Sequence, residues 1–448
     1  MRKLALTVPA QLQPWLAAPV AIFGAGVSGV GVCALLASLG AEGVIYDAKS
    51  TEFTAKHARA HRLVIFSPGF PPEHPWLALA RATGCECRSE LDFASVFWRG
   101  NVISVTGTNG KTTLTEFLTH ALRHAGREAY ATGNVGYSFA QLVAEKDGGS
   151  TESIAVCEVS SFQAETLQEF RADATLWINF AEDHLERHAT LESYFGAKWN
   201  LVSHTLDRRV ERHSPSGKTL EDVTRSALFL GSSVQSYAAK FDRPIPAGAA
   251  VQTEGQGGDE RLLGTVFADY PQRENFLLAA AWWKSAGLSE QVLFEAARSF
   301  VVGRHRLTQI GELGGVKYWN DSKATNFHAV EAALVRFLEP VVLIAGGKAK
   351  GGDIAGFVHR IAPRVKHAAL IGETSSELAF HFSASRVGHT ICATLAEAVH
   401  RTAEISQRGD NVLLSPGFAS FDMFRGYADR GEQFEQLVRE LGITASLR

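Results

Sequence analysis

A glycine-rich turn between an apolar strand and a helical segment constrains the fold of this chain more than any other feature. The apolar run Val102-Ile103-Ser104-Val105 predicts a buried strand, and a helical pattern runs from Leu114 to Leu122. The turn between them reads Thr106-Gly107-Thr108-Asn109-Gly110-Lys111-Thr112-Thr113. A strand, a glycine-rich turn, a Lys-Thr pair and a helix follow one another in this order in phosphate-binding loops. The stretch therefore predicts a nucleotide phosphate site.

The chemistry of the turn supports this prediction. Gly107 and Gly110 let the backbone turn tightly and direct N–H groups to one point, where the helix N-terminus adds its positive end. Lys111 can reach the β- and γ-phosphates of ATP, and the Thr112 hydroxyl can ligate Mg²⁺. The alternative is a chance glycine-rich turn, since the loop is shorter than the general G-x-x-x-x-G-K-[ST] form. The predicted ATP-binding residues of the loop are Gly107, Thr108, Asn109, Gly110, Lys111, Thr112 and Thr113.

Length and composition narrow the class of protein. A chain of 448 residues has room for roughly three domains of about 150 residues. With 46% apolar and 20% charged residues it has the composition of an ordinary globular protein, and a net charge of -3 gives no reason to expect nucleic acid. No apolar run reaches the ~18 residues of a membrane helix. Five cysteines without a disulfide framework indicate reduced thiols and a cytoplasmic protein.

The first hundred residues contain a second glycine motif. The strand-like run Val20–Phe23 leads into Gly24-Ala25-Gly26-Val27-Ser28-Gly29, and the next strand, Val44–Tyr46, ends at Asp47. This G-x-G-x-x-G pattern with a later acidic residue is typical of dinucleotide sites, although alone it fits any phosphate-bearing ligand. A third predicted strand, Leu63–Phe66, ends in Ser67-Pro68-Gly69-Phe70. That turn is either a ligand-binding loop at the carboxyl edge of a sheet or a simple β-turn.

Polar side chains also follow two strands near the phosphate loop. Glu158 comes directly after Ser153–Cys157, in the place of a Mg²⁺ ligand, and His184 closes the segment that follows Ala174–Ile178. A lone histidine is often structural, but its position after a strand favours a metal ligand here. Lys198 falls in a helical stretch; spacing indicates no role for it, and a solvated lysine is the default interpretation. Strands that alternate with helices predict an α/β fold with parallel sheets.

The last third of the chain repeats this arrangement after a predicted hinge near Gly303. Polar loops follow three predicted strands, and their basic residues suit an anionic substrate, although lysines on surface turns explain them equally well. These loops are Asn320–Asn326, Gly346–Asp353 and Ser415–Gly417, with the basic residues Lys323, Lys348 and Lys350. The segment Glu254–Glu260 reads as a turn or exposed loop.

Taken together, these motifs resemble the Mur ligase family of cell-wall synthesis over nearly the whole chain. Thr106–Thr112 is similar to the ATP loop that the family shares with folylpolyglutamate synthetases, so it does not select a branch. Asn320-Asp321-Ser322-Lys323-Ala324-Thr325-Asn326 and Ser67-Pro68-Gly69 resemble the glutamate-adding branch. The other motifs that resemble the family are Thr132–Gly136, Glu158–Phe162 and Asn179–His184.

The resemblance implies three α/β domains and a ligase activity. A Rossmann-like UDP-binding domain would span residues 1–98, a central ATP-binding parallel sheet 99–302, and a Rossmann-like glutamate-binding domain 303–448. ATP would activate the carboxylate of UDP-N-acetylmuramoyl-L-alanine as an acyl phosphate, which D-glutamate attacks; L-glutamate is the alternative. The protein would be a monomer that binds these small molecules, without nucleic acid or membrane partners. A dinucleotide-binding oxidoreductase and a non-catalytic binding module are more distant alternatives.

The resemblance also implies a role for individual residues. Two Mg²⁺ ions would be held by Thr112 and Glu158 and by His184 and Lys198, the last carbamylated by CO₂ so that it offers oxygen ligands. Lys111, His184 and Lys198 would be the catalytic residues. Asn275, Arg306 and Asp321 would complete the ATP site. The UDP substrate would contact Ser28, Asp47, Lys49, Ser67, Pro68, Gly69, Asn134 and Ser160. Glutamate would contact Lys323, Thr325, Lys350, Ser415 and Phe424.

Overall fold

The computed structural model describes residues 6–211, 227–252 and 258–442. Residues 254–257 of the predicted loop Glu254–Glu260 lie outside the described residues. Among the helices of the described ranges, none is both long enough and apolar enough to cross a membrane.

The chain divides into two compact units. The first comprises Met1–Phe180, Glu192–Thr265 and Glu274–Phe300, and the second comprises Ala181–Leu191, Val266–Arg273 and Val301–Arg448. The change from one unit to the other at residue 300 lies two residues before the predicted domain border at 302, whereas no division falls at residue 98. The division into three domains stays a prediction.

A four-stranded parallel sheet occupies the first hundred residues, with strand order β2-β1-β3-β4. The predicted strands Val20–Phe23 and Leu63–Phe66 are confirmed with these bounds, and all their residues are buried. The elements are α1 Gln13–Leu16, β1 Val20–Phe23, α2 Val27–Ser38, β2 Gly43–Tyr46, α3 Ala55–Ala58, β3 Leu63–Phe66, α4 Pro75–Ala82, β4 Glu86–Ser89 and α5 Glu90–Ser95.

A six-stranded parallel sheet follows, with strand order β10-β9-β8-β5-β7-β6. Its central strand pairs Val105 with Glu158 on one side and with Leu176 on the other. The phosphate loop, Glu158 and the residues after β8 therefore leave the sheet at one edge. The elements are β5 Asn101–Thr106, α6 Lys111–His124, β6 Ala129–Gly133, α7 Phe139–Glu145, β7 Ile154–Glu158, α8 Ser161–Ala164, β8 Ala174–Trp177, α9 Leu185–His188, α10 Leu191–Glu211, β9 Leu228–Gly231, α11 Ser232–Lys240, β10 Ala250–Gln252, α12 Gln272–Ser285 and α13 Glu290–Ser299.

The two sheets of the first unit share one apolar core and a buried carboxylate. Side chains from both, among them Leu35, Phe93 and Phe139, form a single buried cluster. Asp92, at the start of α5, accepts backbone hydrogen bonds of 2.9–3.1 Å from Gln168, Glu169 and Phe170. Because these contacts join α5 to the central sheet, the first sheet is not a separate compact unit.

The second unit contains a six-stranded sheet of order β11-β12-β16-β13-β14-β15. Only the edge strand β11, which the sequence did not predict, is antiparallel to its neighbour; its residues are mostly half-exposed or exposed, so it lacks a buried apolar run. Leu414 pairs with Asn320 and with Ile344, which brings the loops after these three strands together. The elements are β11 Thr308–Leu313, β12 Val316–Asn320, α14 Phe327–Val335, β13 Val341–Gly346, α15 Ile354–Ile361, β14 Val365–Ile371, α16 Ser375–Ala384, β15 Gly388–Ile391, α17 Leu395–Ile405, β16 Asn411–Leu414 and α18 Tyr427–Glu440.

Candidate active site

The predicted phosphate loop runs from the end of β5 to the start of α6, and the chain after β8 holds it. The N–H groups of Thr108 and Asn109 donate to Asn179 Oδ1 at 3.1 and 3.0 Å. The Lys111 ammonium folds back on the loop and donates to the carbonyls of Gly107 and Thr108 at 3.1 and 2.9 Å. A loop with fixed N–H groups and a cation above it is suited to an anionic ligand.

Gly110 and Asn275 approach each other closely within the first unit. Gly110 has a φ of 82°, a left-handed conformation that favours glycine, and a Cβ built there would lie 2.6 Å from Asn275 Oδ1. Asn275 is buried on α12 and thus brings its amide against the last turn of the loop. The predicted nucleotide residue is therefore beside the phosphate loop, although 165 residues separate it from Gly110 in the chain.

Glu158 offers one unused carboxylate oxygen at the same sheet edge. The residue is 2% exposed, and its Oε1 accepts a hydrogen bond of 2.9 Å from Asn134 Nδ2. Among the described residues, Oε2 has no hydrogen-bond partner. A buried carboxylate oxygen without a donor is costly unless a cation or a solvent molecule satisfies it. Thr112, half-buried in the first turn of α6, belongs to the adjacent loop.

Lys198 is 1% exposed and lies on α10. The default interpretation of Lys198 as a solvated lysine is wrong, because the helix face that carries this residue packs against the phosphate loop. Its Nζ donates to the carbonyl of Gly107 at 2.9 Å and to Thr106 Oγ1 at 3.3 Å. It also lies 5.1 Å from the centroid of the Tyr194 ring. The loop carbonyl of Gly107 thus accepts from both predicted catalytic lysines of this unit.

The other predicted substrate residue of the central sheet, Ser160, caps a helix. Its Oγ accepts from the N–H of Gln163 at 3.3 Å, and its own N–H donates to Gln163 Oε1 at 2.9 Å. Asn134 is exposed and points its amide at Glu158. Both therefore lie near the carboxyl edge of β7, but each already has a structural partner.

The glycine motif of the first sheet is organised by Asp47. Its two carboxylate oxygens accept from the N–H groups of Ala25 and Lys49, both at 3.0 Å. Both hydrogen bonds lower the pKa of the Asp47 carboxyl, and the bond from the Lys49 N–H has the larger effect. The charged side chain thereby closes the turn after β1. Lys49 itself is exposed, and Ser28 is half-buried in the first turn of α2.

The predicted turn after β3 is confirmed. The N–H of Phe70 donates to the carbonyl of Ser67 at 3.1 Å, across Pro68 and Gly69. A Cβ at Gly24 would lie 2.8 Å from Ser67 Oγ, so the two carboxyl-edge loops of β1 and β3 touch. Ser67, one of the predicted UDP residues, therefore lies against the glycine motif that follows β1.

The second unit contains a pocket in which Asp183 meets residues from distant loops. Asp183 accepts from Asn326 Nδ2 at 2.9 Å and forms an ion pair of 3.7 Å with Lys350. Residues from four separate segments of the chain line this pocket: Glu182, Asp183, His184, Leu185, Thr325, Asn326, Phe327, Lys350, Gly351, Gly417 and Phe418. Three residues predicted for catalysis or glutamate binding, His184, Thr325 and Lys350, thus line one pocket.

His184 has a left-handed backbone, with a φ of 55°. Its Nδ1 lies 3.2 Å from Glu186 Oε1. Burial lowers the pKa of the imidazole more than the nearby Asp183 carboxylate raises it. The neutral ring, which is the form that ligates metals, is therefore favoured at neutral pH. The phosphate loop belongs to the first unit, so a metal shared between the loop and His184 stays a prediction.

Asp321 and Ser415, predicted for ATP and glutamate respectively, bond to each other. Ser415 Oγ donates to Asp321 Oδ2 at 2.8 Å, and the N–H of Leu307 donates to Oδ1 at 3.1 Å. Desolvation raises the pKa of Asp321 to about 7, although these hydrogen bonds and the positive charge of Arg306 act to lower it. Asp321 thus joins the chain after β12, the loop after β16 and the segment that enters the second unit.

The two remaining glutamate candidates lie near the first turn of α18. The Lys323 ammonium stands 3.8 Å from the centroid of the Tyr427 ring. Phe424 is half-buried and packs on the apolar cluster of the third sheet.

Sequence reasoning missed several residues that organise these sites. Asn179 holds the phosphate loop, and Asp183 joins Lys350 to Asn326. Both lie in the polar segment after β8 that was singled out for His184, so position after a strand was a usable signal. Tyr427 is the first residue of α18 and does not directly follow a strand, so this signal could not have identified it.

Two family models and several curated relatives match this chain. The Mur ligase middle domain matches residues 105–211, and the Mur ligase glutamate ligase domain matches residues 305–418. The UDP-N-acetylmuramoylalanine–D-glutamate ligase of Thermoanaerobacter pseudethanolicus is 32% identical, covering 94% of this chain and 98% of the relative. The protein of the same name from Alkaliphilus metalliredigens is 33% identical, with the same coverage of 94% and 98%.

Solved structures share the fold at low sequence identity. The UDP-N-acetylmuramate-alanine ligase of Thermotoga maritima superposes with a TM-score of 0.58 at 14% identity, covering 95% of this chain and all of that one. A pseudomurein peptide ligase of Methanothermus fervidus gives a TM-score of 0.56 at 14% identity, again covering 95% and 100%. With relatives above 30% identity along nearly its whole length, the chain belongs to the Mur ligase family.

Proposed function

We propose that this chain is an ATP-dependent ligase that joins D-glutamate to UDP-N-acetylmuramoyl-L-alanine in peptidoglycan precursor synthesis. The observation that carries the proposal is its identity of about a third, along almost the entire length, with relatives named as D-glutamate ligases. In the reaction, a carboxylate oxygen of L-alanine attacks the γ-phosphorus of ATP, and ADP leaves. The glutamate amine then attacks the acyl phosphate, loses a proton and expels phosphate.

The phosphate loop supplies the electrophilic end of this reaction. The N–H groups of the loop and the start of α6 face the phosphates, and Lys111 leaves the carbonyls of Gly107 and Thr108 to neutralise the transferring phosphoryl group. Asn275, buried beside Gly110, contacts the nucleotide from α12. Arg306 and Asp321 are assigned to the nucleotide by family resemblance, with Asp321 also bonded to Ser415.

The residues at the sheet edge fit a divalent cation. Glu158 Oε2 is buried without a hydrogen-bond partner in the described part of the chain, and Thr112 belongs to the adjacent loop. Such a carboxylate, a hydroxyl and nucleotide phosphates are the usual oxygen donors for Mg²⁺. When bound, Mg²⁺ neutralises the repulsion between the triphosphate and the attacking carboxylate.

Lys198 fits the proposed carbamate because it is buried beside the loop. The ammonium first loses a proton; addition of CO₂ to the neutral Nζ amine then forms a C–N bond and releases a second proton, so that an anionic oxygen donor replaces a cation. Together with His184, whose imidazole is neutral at neutral pH, it would hold the second Mg²⁺. A protonated lysine could donate hydrogen bonds but could not ligate a metal.

The pocket of the second unit is assigned to glutamate. Its Lys350 pairs with Asp183, so a glutamate carboxylate would compete with Asp183 for the ammonium. Thr325 offers a hydroxyl in the same pocket, and Lys323, Ser415 and Phe424 would complete the site. The loops after β1 and β3 would take UDP, with Asp47 closing the turn that faces the phosphates.

The decisive assay measures phosphate release by the purified full-length chain. We expect release only when UDP-N-acetylmuramoyl-L-alanine, glutamate, ATP and Mg²⁺ are all present, with D-glutamate far better than L-glutamate. Release with neither enantiomer would reject the proposal, and preference for L-glutamate would replace it with the alternative substrate. Glu158→Gln, which keeps the shape of the side chain, should lose this activity. Sedimentation and cell fractionation test the further expectations that the enzyme is a monomer and cytoplasmic.

A further inference from the structure

The first turn of α18 is attached to the loop that carries Lys323. Ser322 Oγ donates to the carbonyl of Tyr427 at 2.8 Å. Arg430, one turn further along α18, donates from Nε to Ser322 Oγ at 3.0 Å and from Nη2 to the Ser322 carbonyl at 2.9 Å. Three hydrogen bonds thus converge on the residue that immediately precedes Lys323.

Arg430 is fully buried, so this attachment is rigid. It is 0% exposed and also donates to the carbonyl of Phe418, on the loop after β16, at 3.3 Å. Burying a guanidinium is costly unless its donors are satisfied, so the position of Ser322 and that of α18 depend on each other.

At this attachment point between α18 and the Ser322 loop, the Tyr427 ring faces the Lys323 ammonium. The Nζ lies 3.8 Å from the ring centroid, well inside the ~6 Å within which the negative face of an aromatic ring attracts a cation. Lys323 is half-buried, as is Tyr427, so solvent screens the contact only in part. The Tyr427 hydroxyl makes no hydrogen bond to any residue of the described ranges, and the ring alone therefore makes the contact with Lys323.

We propose that Tyr427 is a positioning residue for glutamate: its ring holds the Lys323 ammonium in the orientation that receives a glutamate carboxylate, and Arg430 fixes the loop beneath it. This inference rests on the assignment of Lys323 to glutamate in the proposed function. A lysine side chain has several rotatable bonds, and fixing one of its conformations before binding removes an entropic cost from the binding step. A ring face adds no formal negative charge beside the ammonium, so this contact does not itself cancel the attraction of Lys323 for the substrate.

The test compares Tyr427→Leu with Tyr427→Phe. Phenylalanine keeps the ring and should keep the KM for glutamate, whereas leucine removes the ring and should raise this KM about 2- to 30-fold, the equivalent of about 0.5–2 kcal/mol. We expect kcat and the KM for ATP to change little in either variant. A KM for glutamate that is equal in the two variants would overturn the inference.

Two further measurements keep the result interpretable if leucine disturbs the fold. Replacing Tyr427 with fluorinated phenylalanines withdraws electrons from the ring at nearly constant shape, so the KM for glutamate should rise with each fluorine. In a Lys323→Met background, Tyr427→Leu should have no further effect on this KM. A flat fluorine series, or an undiminished effect without Lys323, would refute the role of the ring.

The controls separate this inference from the proposed function. Absence of phosphate release by the unaltered enzyme would reject the ligase assignment and with it the glutamate role of Lys323. Normal turnover by the unaltered enzyme together with equal KM values for the leucine and phenylalanine variants would reject only the role of Tyr427. Arg430→Lys should lower the thermal midpoint as well as affinity for glutamate, since it loosens the base of the loop.

Discussion

Replacing Asn134 should weaken the proposed Mg²⁺ site while leaving the fold intact. The Asn134 amide is the hydrogen-bond donor to Glu158 Oε1, at 2.9 Å, and Oε2 is the oxygen that remains for a cation. The amide therefore fixes which way the carboxylate faces. The backbone N–H of Asn134 donates to the Glu158 carbonyl at 2.9 Å and is retained in Asn134→Ala, so the local chain path should persist.

The size of the effect follows from this one hydrogen bond. A hydrogen bond to a charged group contributes about 1.5–3 kcal/mol, which corresponds to roughly 10- to 150-fold in an equilibrium constant. Loss of a partner that orients a metal ligand typically weakens metal binding by about 10- to 100-fold. Because Asn134 is exposed, water can replace its amide in part, and we expect a loss of about tenfold, at the low end of these ranges.

The assay measures the Mg²⁺ concentration that half-saturates phosphate release, and, independently of turnover, the calorimetric affinity for ATP as a function of Mg²⁺. Gln141→Ala is the matched control, because Gln141 Nε2 donates to Glu145 Oε1 over the same 2.9 Å in an exposed hydrogen bond within α7. The reasoning fails if Asn134→Ala raises only the KM for the UDP substrate, as direct substrate binding by Asn134 predicts, with no change in Mg²⁺ dependence.

Three further predictions address the lysine, the loop and a buried acid. Lys198→Ala should abolish product formation, and a short carboxylic acid should restore part of it. The control Lys240→Ala, at the exposed end of α11, should be active. Near-normal activity of Lys198→Ala would remove the carbamate argument. Gly110→Ala should lose ATP affinity because the new Cβ would lie 2.6 Å from Asn275 Oδ1. Gly126→Ala is the control: Gly126 has a φ of 73° and open space around it, so the substitution costs only the ~1–2 kcal/mol of a left-handed residue and ATP binding should be normal. Desolvation raises the pKa of Glu90 to about 7 in the folded protein, above its value of about 4.3 in the unfolded chain. The free energy of unfolding is therefore greatest below the unfolded pKa. It falls by up to ~1.4 kcal/mol per pH unit as the pH rises through the folded pKa. The thermal midpoint should therefore decrease less between pH 5 and 8 in Glu90→Gln than in the unaltered protein, and parallel curves would contradict this account.

The sequence by itself determined the strands and the loops that follow them. Short buried runs such as Val20–Phe23 and Leu63–Phe66 were predicted with the bounds that the structure has, because a continuous apolar run followed by a turn is a local signal. The phosphate loop is equally local, since its glycines, Lys111 and the helix start are adjacent in the chain. Position after a strand was enough to select Glu158, and the motif order was enough to indicate the family.

Only the tertiary structure decided which partner each side chain has. Lys198 meets the Gly107 carbonyl, 91 residues away, because the register of β5 and β8 and the path of α10 bring them together. Asp321 and Ser415, predicted for different ligands, bond to each other because β12 and β16 are neighbours in the sheet. Burial and hydrogen-bond partners depend on contacts between segments far apart in the chain, and no local periodicity encodes these contacts.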